Sequence, residues 1–173
     1  MGASMILQAG YSEVYSICLY LESIYKDLGQ YSSVEVDTDT LYDSVLAWCT
    51  SEDSAVFLLI EDKKIVGIFI GVLNQIWYSK EYEAVEILLY IDEKYRSLKA
   101  FSDLMETFDA WWEEEDALYA VLGATSSEKD LTKLYSVVGY SPAGRYYRRY
   151  NGKSCQTDKE GNQSGEERCQ GST

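Results

Sequence analysis

What chemistry this chain can do is limited first by an absence: its 173 residues include no His. That excludes Ser-His-Asp and Cys-His nucleophile pairs, His-rich zinc sites and a His general base. Acid–base work falls to 29 Asp and Glu, 16 Tyr, four Cys and water. The cysteines are too few and too scattered for a disulfide framework or a metal site, so no metal is expected. Cys18 and Cys49 stand in apolar helical patterns and read as small core residues, whereas Cys155 and Cys169 stand in a polar stretch. A reducing compartment, the cytoplasm, is the expected location.

Charge singles out a second group. Lys94, Arg96 and Lys99 place three cations and no anion within six residues of a chain whose net charge is −14. At a helix N-terminus those cations oppose the macrodipole, and an anionic ligand among them would relieve the conflict. The alternative is surface pairing with Asp92, Glu93 or Asp103. Arg145, Arg148 and Arg149, interleaved with Tyr146, Tyr147 and Tyr150, have the composition of a single-strand nucleic-acid platform. An edge strand lying against an acidic surface accounts for them better. The overall charge argues against tracking phosphates, which requires collected Lys and Arg. The longest apolar stretches, 55–60 and 65–73, fall far short of the roughly 20 residues of a membrane helix. Neither a secretory leader nor a membrane association is expected, and no direct nucleic-acid contact.

Val14, Ile17, Cys18, Leu21, Ile24, Tyr25 and Leu28 follow one helical face, with Ser12 as the expected N-cap and Gly29 as the stop. Leu41, Tyr42, Val45, Trp48 and Cys49 repeat the pattern after Asp37-Thr38-Asp39. Residues 55–60 and 65–73 read as strands joined by the polar quartet 61–64, and 84–91 as a third buried strand. Phe101, Leu104, Met105, Phe108 and Trp111 form the strongest helical stripe, flanked by Trp112. A strand at 117–122, a cap at 127–130, a helix through Leu131, Leu134, Tyr135 and Val138 ended by Gly139, and a last strand at 145–150 complete the order. This is an α/β chain: a hairpin feeding strand–helix–strand units implies a mixed sheet with helices on both faces. Residues 1–150 are expected to form one domain. Residues 151–173 contain no Leu, Ile, Val, Phe, Trp or Tyr, and read as a flexible polar tail.

Two segments carry a resemblance. Ile87-Leu88-Leu89-Tyr90-Ile91-Asp92-Glu93-Lys94-Tyr95-Arg96 is similar to the fourth strand and "V-x-P-E-x-R" exit of the GNAT N-acetyltransferases, and Leu131-Thr132-Lys133-Leu134-Tyr135-Ser136-Val137-Val138-Gly139-Tyr140 resembles that family's "A-x-x-L-Y-x-x-x-G-F" segment. The resemblance spans residues 55–150 and looks closest to short, divergent versions encoded by bacteriophages. It implies a GNAT-like central mixed sheet of about six strands flanked by helices on both faces, and acetyl-CoA as cofactor. Leu89, Tyr90 and Ile91 would line the acetyl-CoA cleft. The pyrophosphate loop "R/Q-x-x-G-x-G/A" falls on Arg96-Ser97-Leu98-Lys99-Ala100-Phe101: Arg96 matches, and Lys99 and Phe101 occupy the glycine-type positions, where side chains are expected to crowd the backbone's approach to the ligand. Ser126 would contact the CoA arm. Tyr135 matches the tyrosine that protonates the departing thiolate, and Glu86 the carboxylate that takes the amine's proton, with Glu83 as its competitor on the opposite strand face.

These assignments imply acetyl transfer to the amine of a cationic acceptor, such as a polyamine, an aminoglycoside or a Lys-rich protein, by a chain that also has the option of self-association. Two other readings accompany this one. The chain is a GNAT-fold interaction or virion protein without catalysis, acting in a host cytoplasm or a virion, or an acidic mimic of DNA that occupies a DNA-binding protein.

Overall fold

The β-branched runs in the middle of the chain form the centre of a sheet. β2 (Ser54–Glu61) and β3 (Lys64–Gln75) pair antiparallel. The turn between them carries Asp62 and Lys63 at φ 49° and 63°, a mirror-image turn whose twist suits a hairpin. β4 (Tyr82–Ile91) pairs antiparallel with β3, and β5 (Tyr119–Val121) pairs parallel with β4. β1 (Met5–Gln8) lies antiparallel on the far side of β2, giving a mixed sheet of order β1-β2-β3-β4-β5. This computed structural model describes residues 5–25, 35–123 and 132–143, all within the compact unit of residues 1–143. The strand expected at 145–150 and the tail at 151–173 lie outside the described residues, where the sheet has five strands rather than about six.

Among the described residues three helices and a short fourth cover the sheet. α1 (Val14–Ile24) buries Val14, Ile17, Cys18, Leu21 and Ile24. Ser12 is not its cap: a short 3-10 turn, Tyr11–Glu13, precedes the helix, and the Ser12 hydroxyl donates to the Glu13 carboxylate, which also accepts from the Gly10 N–H at 2.8 Å. α2 (Thr38–Thr50) is capped by Asp37, whose carboxylate accepts from the Thr40 N–H at 2.7 Å. α3 (Leu98–Glu114) buries the stripe from Phe101 to Trp111. α4 (Thr132–Val137) ends at Gly139, whose φ of 94° suits a residue without a side chain. Among the described residues no helix is long and apolar enough to cross a membrane.

Strand alternation divides the core in two. On β2, Ala55, Phe57 and Leu59 face α3 and α4, while Val56 and Leu58 face α1 and α2. Both faces are covered, which explains why β2 reads as a continuous apolar run rather than an alternating one.

The β3–β4 pairing is irregular at one point. Ile70 pairs with Leu88 but Gly71 pairs with Glu86, so Ile87 is an extra residue in β4. Such a bulge bends the strand and re-aims its side chains. Ala84 lies on the α3 face before it, and Leu89 and Ile91 lie on that face after it.

Candidate active site

Glu86 is delivered by the bulge. It sits on β4 beside Gly71, in the row Ala55–Gly71–Glu86 that crosses three strands under α3. A methyl group at position 71 would stand 2.6 Å from Phe108 and 3.0 Å from Trp111, so the bare backbone there is what lets the α3 rings settle next to Glu86. The Glu86 carboxylate accepts from the Gly123 N–H at 3.0 Å and lies 3.3 Å from the Tyr135 hydroxyl. That hydroxyl is also 3.1 Å from the Gly123 carbonyl oxygen. Tyr135 is brought in by α4, its ring buried against Phe101 and Tyr140.

The phenol has one proton and two acceptors. With Glu86 ionised it donates to the carboxylate; with Glu86 protonated, the acid donates to the phenol oxygen and the phenol turns to Gly123. Burial pushes the Glu86 carboxyl up to about 7, against hydrogen bonds from Gly123, Tyr135 and the Leu89 backbone that favour the anion. Burial first, and then the Glu86 carboxylate, hold the Tyr135 phenol well above the usual phenol range, so it stays protonated at neutral pH. A carboxyl able to accept a proton near pH 7 therefore touches a phenol able to give one.

The sheet opens beside this pair. β5 pairs with β4 only from Glu83 to Val85, opposite Tyr119 to Val121. From Glu86 onward, β4 has β3 on one side and, among the described residues, no strand partner on the other. Leu89 and Ile91 turn toward α3, and Tyr90 toward α1 and α2. Glu83 alternates with Ala84 and so faces away from Glu86.

The basic cluster does not converge. Lys99 pairs with Asp103 one helical turn on, with most of its side chain in solvent. The Arg96 Nε donates to the Ile91 carbonyl at 2.8 Å while its guanidinium lies over the Tyr90 ring. Lys94 lies over the Tyr95 ring. Ser97 is the N-cap of α3, its hydroxyl accepting from the Ala100 N–H at 3.1 Å. Ala100 and Phe101 are buried in the core. Phe101, one of the two side chains expected to crowd the loop, packs its ring against Tyr135. Ser126 lies outside the described residues.

The sequence from residue 21 to 140 matches the acetyltransferase (GNAT) family. The chain belongs to that family. Solved GNAT structures share its fold. An aminoglycoside acetyltransferase from an uncultured soil metagenomic sample, in complex with sisomicin, superposes with a TM-score of 0.68 at 13% identity, over 85% of this chain and 94% of its own. AAC(6')-Iy in complex with the bisubstrate analogue CoA-S-monomethyl-acetylneamine gives 0.69 at 11% identity, over 86% and 99%. The ribosomal-protein-alanine N-acetyltransferase of Brucella melitensis biovar Abortus 2308 gives 0.62 at 15% identity, over 86% and 100%. Among curated proteins, none matches the chain in sequence.

In this GNAT chain one residue of the site and one contact outside it escaped sequence reasoning. Gly123 supplies both a donor and an acceptor to the Glu86–Tyr135 pair; its only sequence signal is a glycine directly after an apolar strand. Tyr20 on α1 donates to Asp92 at 2.9 Å and ties that helix to the exit of β4. Its partner is 72 residues away, and no local pattern marks it.

Proposed function

We propose that the protein transfers an acetyl group from acetyl-CoA to the amine of a cationic acceptor. The observation that carries this reading is the Glu86–Tyr135 contact at the point where β4 and β5 part. Acetyl-CoA supplies the thioester. The acceptor amine forms the new C–N bond as the C–S bond breaks; Glu86 takes the proton the amine loses, and Tyr135 gives its proton to the departing sulfur. Glu86, now protonated, is one hydrogen bond from the phenolate and can return the proton, so the pair resets without a histidine.

The donor's fit rests on two features. Among the described residues no strand pairs with the open side of β4 past Glu86, which leaves room for an extended arm beside it. The first turn of α3 keeps the Leu98 and Lys99 amides as orphan donors for phosphate, since Ser97 satisfies Ala100. The net charge of −14 favours a cationic acceptor, as does the structural likeness to an aminoglycoside acetyltransferase in complex with sisomicin.

One observation favours a second reading, a GNAT-fold interaction protein without catalysis: Arg96 and Lys99 are already engaged within the chain. Release of free CoA from acetyl-CoA in the presence of spermidine or an aminoglycoside tests the proposal, with calorimetry of acetyl-CoA binding alongside. Turnover lost in Glu86→Gln supports acetyl transfer. No binding heat at millimolar acetyl-CoA leaves the non-catalytic reading.

A further inference from the structure

A second site lies on the opposite sheet face, at the other end of β4. The β3–β4 connection presents Trp77 and Tyr78 to solvent, 91% and 72% exposed. The two rings meet edge to face, with centroids 4.9 Å apart. They are not on a slack loop. Ile76 is buried beneath them; its N–H donates to the Glu81 carbonyl at 2.9 Å, and its carbonyl accepts from the Ser79 N–H at 2.8 Å. The Gln75 side chain donates to the Ser79 carbonyl at 3.2 Å.

Trp77 and Tyr78 border an open cavity of about 500 Å³ whose lining includes Asn74, Glu83 and Tyr119. Register explains the grouping: Asn74 pairs with Glu83 and Glu83 with Tyr119, so the three form one row across β3, β4 and β5. The cavity thus combines three aromatic side chains with one carboxylate, and no Lys or Arg lines it. Lys80, on the same connection, is exposed and stands outside the lining.

We propose that this cavity binds an organic ammonium group, the Trp77, Tyr78 and Tyr119 rings supplying cation–π attraction and Glu83 the counter-charge. Aromatic faces around a cation are a recurrent means of recognising quaternary and protonated amines. Exposed aromatic rings of this size otherwise mark an interface between proteins. A second copy of this chain is disfavoured as occupant because it would bring another −14 to a pocket that already contains a carboxylate. The site stands apart from acetyl transfer: Glu83 faces away from Glu86, ~10 Å along the strand. It holds whether or not the Glu86 site turns over.

The test is a titration of the full chain with choline chloride, followed through the Trp77 indole N–H in an NMR spectrum. Two parallel titrations use 3,3-dimethylbutan-1-ol, the neutral isostere, and sodium chloride at matched ionic strength. Expected is a saturable shift with choline alone, weakened about fivefold or more by Glu83→Gln and retained in Glu86→Gln. An equal response to the neutral isostere would reduce the cavity to an apolar patch and overturn the proposal. So would a Trp77 signal that follows protein concentration instead of choline, the mark of self-association. The comparison of choline with its isostere is made on the unaltered protein, so it survives a variant that fails to fold.

Discussion

A carboxyl that titrates near neutrality has two states within reach of ordinary buffers, and at Glu86 they pull activity and stability in opposite directions. As a base it must be ionised, so kcat/KM is expected to climb with pH through about 7. Folding, in contrast, has raised this group from 4.5 to about 7. Its favourable contribution is therefore complete below pH 4.5 and lost as pH rises toward and through 7. Glu86→Gln keeps an acceptor for Gly123 but carries no charge. The variant should lose roughly 10²–10⁴ in kcat/KM and be more stable than the parent at pH 8, by ~1–3 kcal/mol, with the gap closing toward pH 5. Urea titrations at the two pH values read this directly; equal stabilities would mean that Glu86 is not desolvated. Tyr135→Phe removes both the proton donor proposed for the thiolate and a hydrogen bond that favours ionised Glu86. We expect kcat to fall by about 10²-fold and the remaining pH profile to move upward. A purely structural Tyr135 would leave that profile in place.

At the scale of elements, the position of Glu86 depends on how closely α3 lies on the sheet. Gly71→Ala would put a methyl group 2.6 Å from the Phe108 ring, and neither the strand nor a core ring can move freely. The expected cost is about 1–3 kcal/mol, as for other overpacked cores. Acetyl transfer should suffer beyond what the unfolded fraction explains, because Gly71 is the cross-strand partner of Glu86; activity measured well below the melting temperature separates the two effects. The sequence makes α3 legible because 17 residues carry a 3.6-residue stripe, with Ala100, Leu104, Phe108 and Trp111 all on it. The β2–β3 hairpin is legible for a similar reason, two apolar runs around a polar quartet. β1 is not: four residues, three of them exposed and only Ile6 half-buried, cannot establish a period of two. Nor is the bulge at Ile87, since an extra residue in an apolar strand changes which face each side chain takes without changing the composition. The Glu86–Tyr135 contact joins residues 49 apart. Only the family resemblance named both; the bulge and the place of Gly123 beside them are products of tertiary packing.

Charge acts on the molecule as a whole. With 29 acidic against 15 basic residues, the net −14 creates an attractive field for any cationic acceptor approaching from solution. The Debye length shrinks from ~30 Å at 0.01 M salt to ~10 Å at 0.1 M, so long-range attraction fades over that interval while contacts inside a buried site change little. For spermidine, kcat/KM should therefore drop by about tenfold across this range. At saturating acceptor kcat should hold nearly constant, because the proton transfers occur between groups already in contact. An acceptor amine that carries a compensating carboxylate, and so has no net charge, supplies the control. If its kcat/KM falls as steeply as that of spermidine, salt is acting on the enzyme itself, and the acidic surface plays no part in drawing the acceptor in. If only spermidine responds, the charge excess that excludes phosphate tracking also selects the substrate, and it does so before the acceptor reaches Glu86.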